Sequence, residues 1–120
     1  MYTSENFLIQ SKIAYLSNQK AMNDVPVNTQ ITDVVVNAGK LMETWNRYHS
    51  NIGDVITDED VIDSLTEVVI SAMIAIDTIR SNEALYIFDN RLIGKVEELG
   101  GRNKWIKAMF GISVDSYTAA

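Results

Sequence analysis

Between Thr29 and Tyr48 the apolar residues Ile31, Val34, Val35, Ala38, Leu41, Met42 and Trp45 recur at three- and four-residue steps over four turns. Only an α-helix with one apolar stripe satisfies that spacing, so the segment is predicted to be a helix with the stripe, Trp45 included, in the core. A first helix is expected from Ser4 to about Met22, with Leu8 or Ile9, Ile13 and Leu16 inward, and Asn23 to Asn28, which holds the only proline, reads as a connection. Thr57-Asp58-Glu59-Asp60 resembles a capping box and starts a third helix running to about Arg80. Val61, Leu65, Val68, Ala72, Ile76 and Ile79 line one side of it, and further apolar residues widen the stripe to most of the circumference. Such a helix needs cover on more than one side, which predicts a central helix and an oligomer through it, a dimer or a tetramer. Ser81 or Asn82 is expected to cap a fourth helix carrying Leu85, Phe88, Leu92, Val96 and Leu99, closed by Gly100-Gly101. A short basic helix, Arg102 to Phe110, and a tail follow.

No strand-like alternation interrupts these segments, so the fold class is all-α: a four-to-five-helix antiparallel bundle in one domain, 1–120. The 120 residues, 47% of them hydrophobic, suffice for one core. No stretch is long and apolar enough to span a bilayer and no export signal is visible, so the cytoplasm is the expected location and no membrane partner is expected. The chain has no cysteine and one histidine, which removes disulfides, thiolate metal sites and a cysteine nucleophile from consideration. A formal charge of −6 argues against a dedicated nucleic-acid binder. The charge is segregated: Asp54, Asp58, Glu59, Asp60, Asp63 and Glu67 crowd one segment, while Arg91, Lys95, Arg102, Lys104 and Lys107 supply half of the basic residues.

Three stretches carry a family resemblance. Val36-Asn37-Ala38-Gly39-Lys40-Leu41-Met42-Glu43 resembles an EExxE element, Ser64-Leu65-Thr66-Glu67 the ExxD element of the next helix, and Lys95 to Arg102 a KxxxNxxR-like run with Leu99 for Asn. Their order and spacing, over about positions 29 to 102, are similar to the core of the MazG-like, all-α nucleoside triphosphate pyrophosphohydrolases, with 103–120 left as a short helix and tail. In that family the acids hold Mg²⁺ against a triphosphate. The resemblance therefore implies a MazG-like bundle, homo-oligomers and a nucleotide-type ligand, and, since small stand-alone members are often phage-encoded, a phage accessory or host-interaction role.

The acidic positions of the pattern fall here on Val36, Asn37, Lys40, Ser64 and Glu67, so one carboxylate in five remains. Mg²⁺ requires hard oxygen ligands, and a lysine at a ligand position opposes cation binding. The expectation is a catalytically inactive relative that binds a nucleotide-type or other anionic ligand, or a protein partner, with Asn37, Lys40, Glu67, Lys95 and Arg102 as ligand-binding residues, no catalytic residue and no cofactor. Lys40 is expected to pair with Glu67 in place of the metal. The alternatives are an active Mg²⁺-dependent pyrophosphohydrolase whose rearranged site uses Glu43, Asp60, Asp63 and Glu67, or a structural oligomer-forming module. Asp58 to Asp63 read first as solvent-facing acids at a helix N-terminus, and the basic group also suits a helix C-terminus. Trp105 could stack on a base, and His49 reads as a solvent or capping residue.

Overall fold

The structure, a computed structural model, describes residues 4–50, 55–100 and 109. Four helices make up those residues: α1 (Ser4–Met22), α2 (Val27–Ser50), α3 (Asp58–Ile79) and α4 (Ala84–Glu98), with no strand among them. The expected basic helix at 102–110 and the tail lie outside the described residues, Met109 apart. The chain divides into two compact units, Met1–Leu85 and Tyr86–Ala120. α4 begins in the first and continues into the second.

Local chemistry sets the helix ends. Asn23 and Asp24 close α1, Asp24 adopting a left-handed φ of 54° that a short polar side chain tolerates. α2 starts earlier than the periodicity suggests, because the Pro26 carbonyl already accepts from the Thr29 and Gln30 amides. α3 has the predicted box: the Thr57 hydroxyl accepts from the Asp60 amide, and the Asp60 carboxylate accepts from the Thr57 amide at 2.8 Å. α4 departs from expectation at its start. Asn82 sits in a left-handed turn (φ 64°), and neither it nor Ser81 caps the helix. Its free amides find side-chain partners outside the helix: Ala84 N–H donates to Asp77 Oδ1 (3.4 Å) and Leu85 N–H to the distant Gln10 Oε1 (2.9 Å). Gly100, with φ 113°, follows the last turn as expected.

In the first unit α3 packs against both α1 and α2, which makes it the central helix. The α2–α3 register follows from three hydrogen bonds: Tyr48 to Asp58, Ser64 to Thr44 and Thr78 to Gln30. Positions fall on α2 as they climb on α3, so the helices are antiparallel, with 37 level with 71 and 40 level with 67–68. α1 is fixed to α3 by Gln10 Nε2 to Asp77 Oδ1 (2.8 Å) and by the Ser17 and Thr78 hydroxyls (3.1 Å).

The interior is polar to an unexpected degree. Gln10, Ser17, Gln30 and Asp77 are buried, Gln30 to 2% exposure and Asp77 to 3%, alongside the apolar Val61, Met73, Ile74, Ala75 and Ala84. Each buried polar atom among the described residues has a partner, as a low-dielectric interior requires. The stripes that the periodicity places inward are largely outside. On α1, Leu8, Ile9 and Leu16 are exposed while Gln10 and Ser17 are buried. On α2, Ile31, Val35, Met42 and Trp45 are exposed, Trp45 to 43%, because α2 turns Gln30, Asn37 and Thr44 toward α3. Leu65 and Ile79 of α3 are exposed as well. Amphipathic spacing gives the angle between two faces and leaves open which one meets the neighbouring helix.

Asp77 joins three elements, so its removal strands the Gln10 amide and the first amide of α4. Asp77→Ala is expected to lower the unfolding free energy by roughly 2–3 kcal/mol in urea titrations, and Asp77→Asn, which keeps the accepting oxygen, by about 1 kcal/mol or less.

Candidate functional site

The register brings Asn37 and Lys40 of α2 onto the same side of the helix pair as Glu67 of α3, and there the two helices enclose a cleft of about 220 Å³. One end holds Lys40 and Glu67. The other holds Lys20, from the end of α1, and Asp33, 3.9 Å apart. Between them lie the Asn37 amide and Ser71, whose hydroxyl donates to the Val68 carbonyl; the buried Gln30 amide is engaged by Val25 and Thr78, and Val36, Ile70 and Ile74 complete the lining with apolar side chains. The charged residues are two lysines and two acids, so the cleft is balanced in sign.

Three of the five predicted ligand-binding residues, Asn37, Lys40 and Glu67, thus share one cleft. Lys95 is in the second unit, exposed on α4 and paired with Glu98 at 3.2 Å, and Arg102 lies outside the described residues. The expected Lys40–Glu67 ion pair does not form. Level as they are, no nitrogen–oxygen contact within 4.0 Å joins them, neither has an ion-pair partner among the described residues, and both are exposed. The physical reason is solvation: at the open edge of a cleft each charge keeps its water, and a surface contact gains too little to order two long side chains. Sequence reasoning did not anticipate Lys20 and Ser71 here. Ser71 was within reach, standing four residues from Glu67, one helical turn along the same face.

The rearranged carboxylate set does not assemble. Glu43 pairs with Arg47 at 2.8 Å, Asp60 is engaged with Thr57, and no three of the His, Asp and Glu side chains among the described residues gather where one cation could meet them.

A second cluster closes the far end of α2. Tyr48 Oη donates to Asp58 Oδ1, and Trp45 meets His49 edge-on at 4.2 Å between ring centroids, with Tyr48 tilted against both. Trp45, expected in the core, therefore belongs to a half-open aromatic group, and His49 is exposed. Trp105 lies outside the described residues.

Fold and cleft define an all-helical protein with a charge-balanced cleft between two antiparallel helices. No protein-family model, no curated protein and no solved structure matches the chain.

Two measurements check this geometry. Since Lys40 and Glu67 do not pair, Lys40→Met, Glu67→Leu and the double variant are each expected to change stability by less than about 0.5 kcal/mol, with no coupling in the cycle. The hydrogen bond to Asp58, with the negative charge of that carboxylate, raises the Tyr48 pKa above the ordinary tyrosine value by holding the phenol protonated. That contribution to stability is complete below the ordinary value of about 10 and is lost as pH climbs through the raised one. In ultraviolet titration of the folded protein, Tyr48→Phe should delete a late-ionising phenol, and Asp58→Asn should move it earlier.

Proposed function

We propose that this chain is a MazG-like helical protein that works by binding a ligand in the α2–α3 cleft and does not hydrolyse nucleotides. The observation that carries the reading is Lys40, which stands at the third acidic position of the resembled motif and lines the cleft level with Glu67. A metal-dependent pyrophosphohydrolase gathers carboxylates at that place to neutralise two positive charges. Here the same place offers one cation and one anion, with the Asn37 amide and the Ser71 hydroxyl beside them and an apolar floor beneath. Such a lining suits a small polar ligand of nucleotide type, with Lys40 facing its anionic part, Asn37 and Ser71 its hydrogen-bonding edges and Val36, Ile70 and Ile74 its flat face. The role that follows is that of a cytoplasmic accessory protein, of the phage-encoded kind the resemblance implies, acting through its ligand or a protein partner and needing no cofactor.

Two experiments test the reading together. Incubation with a panel of nucleoside triphosphates and Mg²⁺ or Mn²⁺ is expected to release no pyrophosphate, and metal-dependent release abolished by Glu67→Ala would overturn it. In NMR titrations with nucleoside mono- and triphosphates and cyclic dinucleotides, at least one ligand is expected to move the amide signals of Asn37, Lys40 and Ser71, and to do so less in Lys40→Met. If none of them moves those signals, the cleft is not the binding site.

A further inference from the structure

The aromatic group near the end of α2 has an open side and a carboxylate beside it. Trp45 and His49 stand four residues apart, one turn along the same face of α2, with their rings nearly perpendicular at 83°. The ring of Tyr48 lies against both, and its hydroxyl reaches across to Asp58 Oδ1 on the first turn of α3. The antiparallel register brings Ile62, one turn beyond Asp58, level with Trp45. Two helices thus make a corner of an open indole, an exposed imidazole, an exposed carboxylate and an apolar side chain that is 50% exposed. Asp58 has no ion-pair partner among the described residues, and its Oδ2 accepts from none of their groups.

The charge at the corner is negative. Asp58, Glu59 and Asp60 are exposed in the first turn of α3, and their carboxylates outweigh the partial positive charge of the helix end. They repel an anion, such as the phosphate of a nucleotide stacked on the ring, and draw in a cation. A guanidinium fits both halves of the corner: its flat face stacks on an indole, and the N–H groups at its edge donate to a carboxylate beside the ring. A quaternary ammonium has no donor for Asp58, and a lysine ammonium holds its water more tightly.

We infer that this corner binds the guanidinium of an arginine carried by a protein partner, with Trp45 as the stacking surface and Asp58 Oδ2 as the acceptor. The contact is too small to hold a free guanidino compound firmly. Stacking on an exposed indole changes affinity by on the order of two- to fivefold, and an exposed ion pair contributes about as much. Such a group stays bound when its neighbours bind too, and Met42 and Ile62, both at least half exposed beside the ring, offer apolar surface to them. The partner segment is therefore an arginine flanked by apolar residues. Cleft and corner are distinct sites, and the inference does not depend on what the cleft binds.

The test is an NMR titration of the full chain at neutral pH that follows the indole N–H signal of Trp45, told apart from that of Trp105 by Trp105→Phe. An acetylated and amidated Leu-Arg-Leu peptide is expected to move that signal together with the amides of Asp58 and Glu59, and to bind more tightly than acetylated, amidated arginine alone. The matching Leu-Lys-Leu peptide should bind at least about threefold more weakly, and added salt should weaken both. Trp45→Leu should abolish the response of the Asp58 and Glu59 amides, and Asp58→Asn should weaken binding by about threefold. Tyr48→Phe removes the hydrogen bond to Asp58 but keeps the ring and the carboxylate charge, so it should leave the affinity unchanged, whereas a purely structural role of the Tyr48–Asp58 contact would lose it. A Trp45 signal unmoved at tens of millimolar peptide, equal affinity for the arginine and lysine peptides, or full affinity in Asp58→Asn would overturn the inference. So would arginine alone binding as tightly as the peptide, or adenosine monophosphate moving the Trp45 signal at lower concentration than either.

Discussion

A seam of buried amides, hydroxyls and one carboxylate holds the first unit together. Gln10 and Ser17 on α1, Gln30 on α2, and Asp77 and Thr78 on α3 bond to one another, and their remaining groups meet the Val25 and Ile74 carbonyls and the Ala84 and Leu85 amides. Apolar side chains of similar volume would pack in several registers, whereas a buried hydrogen bond formed one turn out of place leaves its partners unsatisfied at a cost comparable to a large part of a small domain's stability. The seam thus selects one alignment of three helices. That alignment sets Asn37, Lys40 and Glu67 around one cleft and turns the apolar stripes outward.

Helix boundaries were largely legible in the sequence because their determinants are local. α1 spans its expected residues, and Thr57 with Asp60 makes the box that their spacing announces. The orientation of α2 was not legible. Its contact face carries Gln30, Asn37 and Thr44, residues that look like a solvated side until their partners on α3 are known, and those partners stand 20 to 48 positions away. Asp77 hides for the same reason, since nothing in its neighbourhood shows that the Gln10 amide and the N-terminus of α4 converge on it. The site was legible in part. Motif spacing placed three residues in one cleft because 3.6-residue periodicity carries them there, but it could not tell a paired lysine from a hydrated one, which depends on depth and not on spacing.

Electrostatics gives the two sides of the hairpin different characters. The cleft side mixes two lysines, two acids and an amide with apolar side chains. The exposed stripes of the same two helices, with Ile31, Val35 and Met42 on α2 and Leu65 and Val69 on α3, carry no charge. One pair of helices thereby presents a mixed polar surface and an apolar one.

The first turn of α4 draws its hydrogen-bond acceptors from Gln10 and Asp77, and Gln10 lies 75 positions before the amide it receives. During synthesis Gln10 leaves the ribosome long before Leu85, and α1 carries an acceptor without a donor until most of the chain has emerged. Closing so long a loop costs entropy that only the finished contact returns. The Leu85 contact therefore exists only when α1 and the start of α4 are both in place, whereas the Ala84 amide is served locally by Asp77.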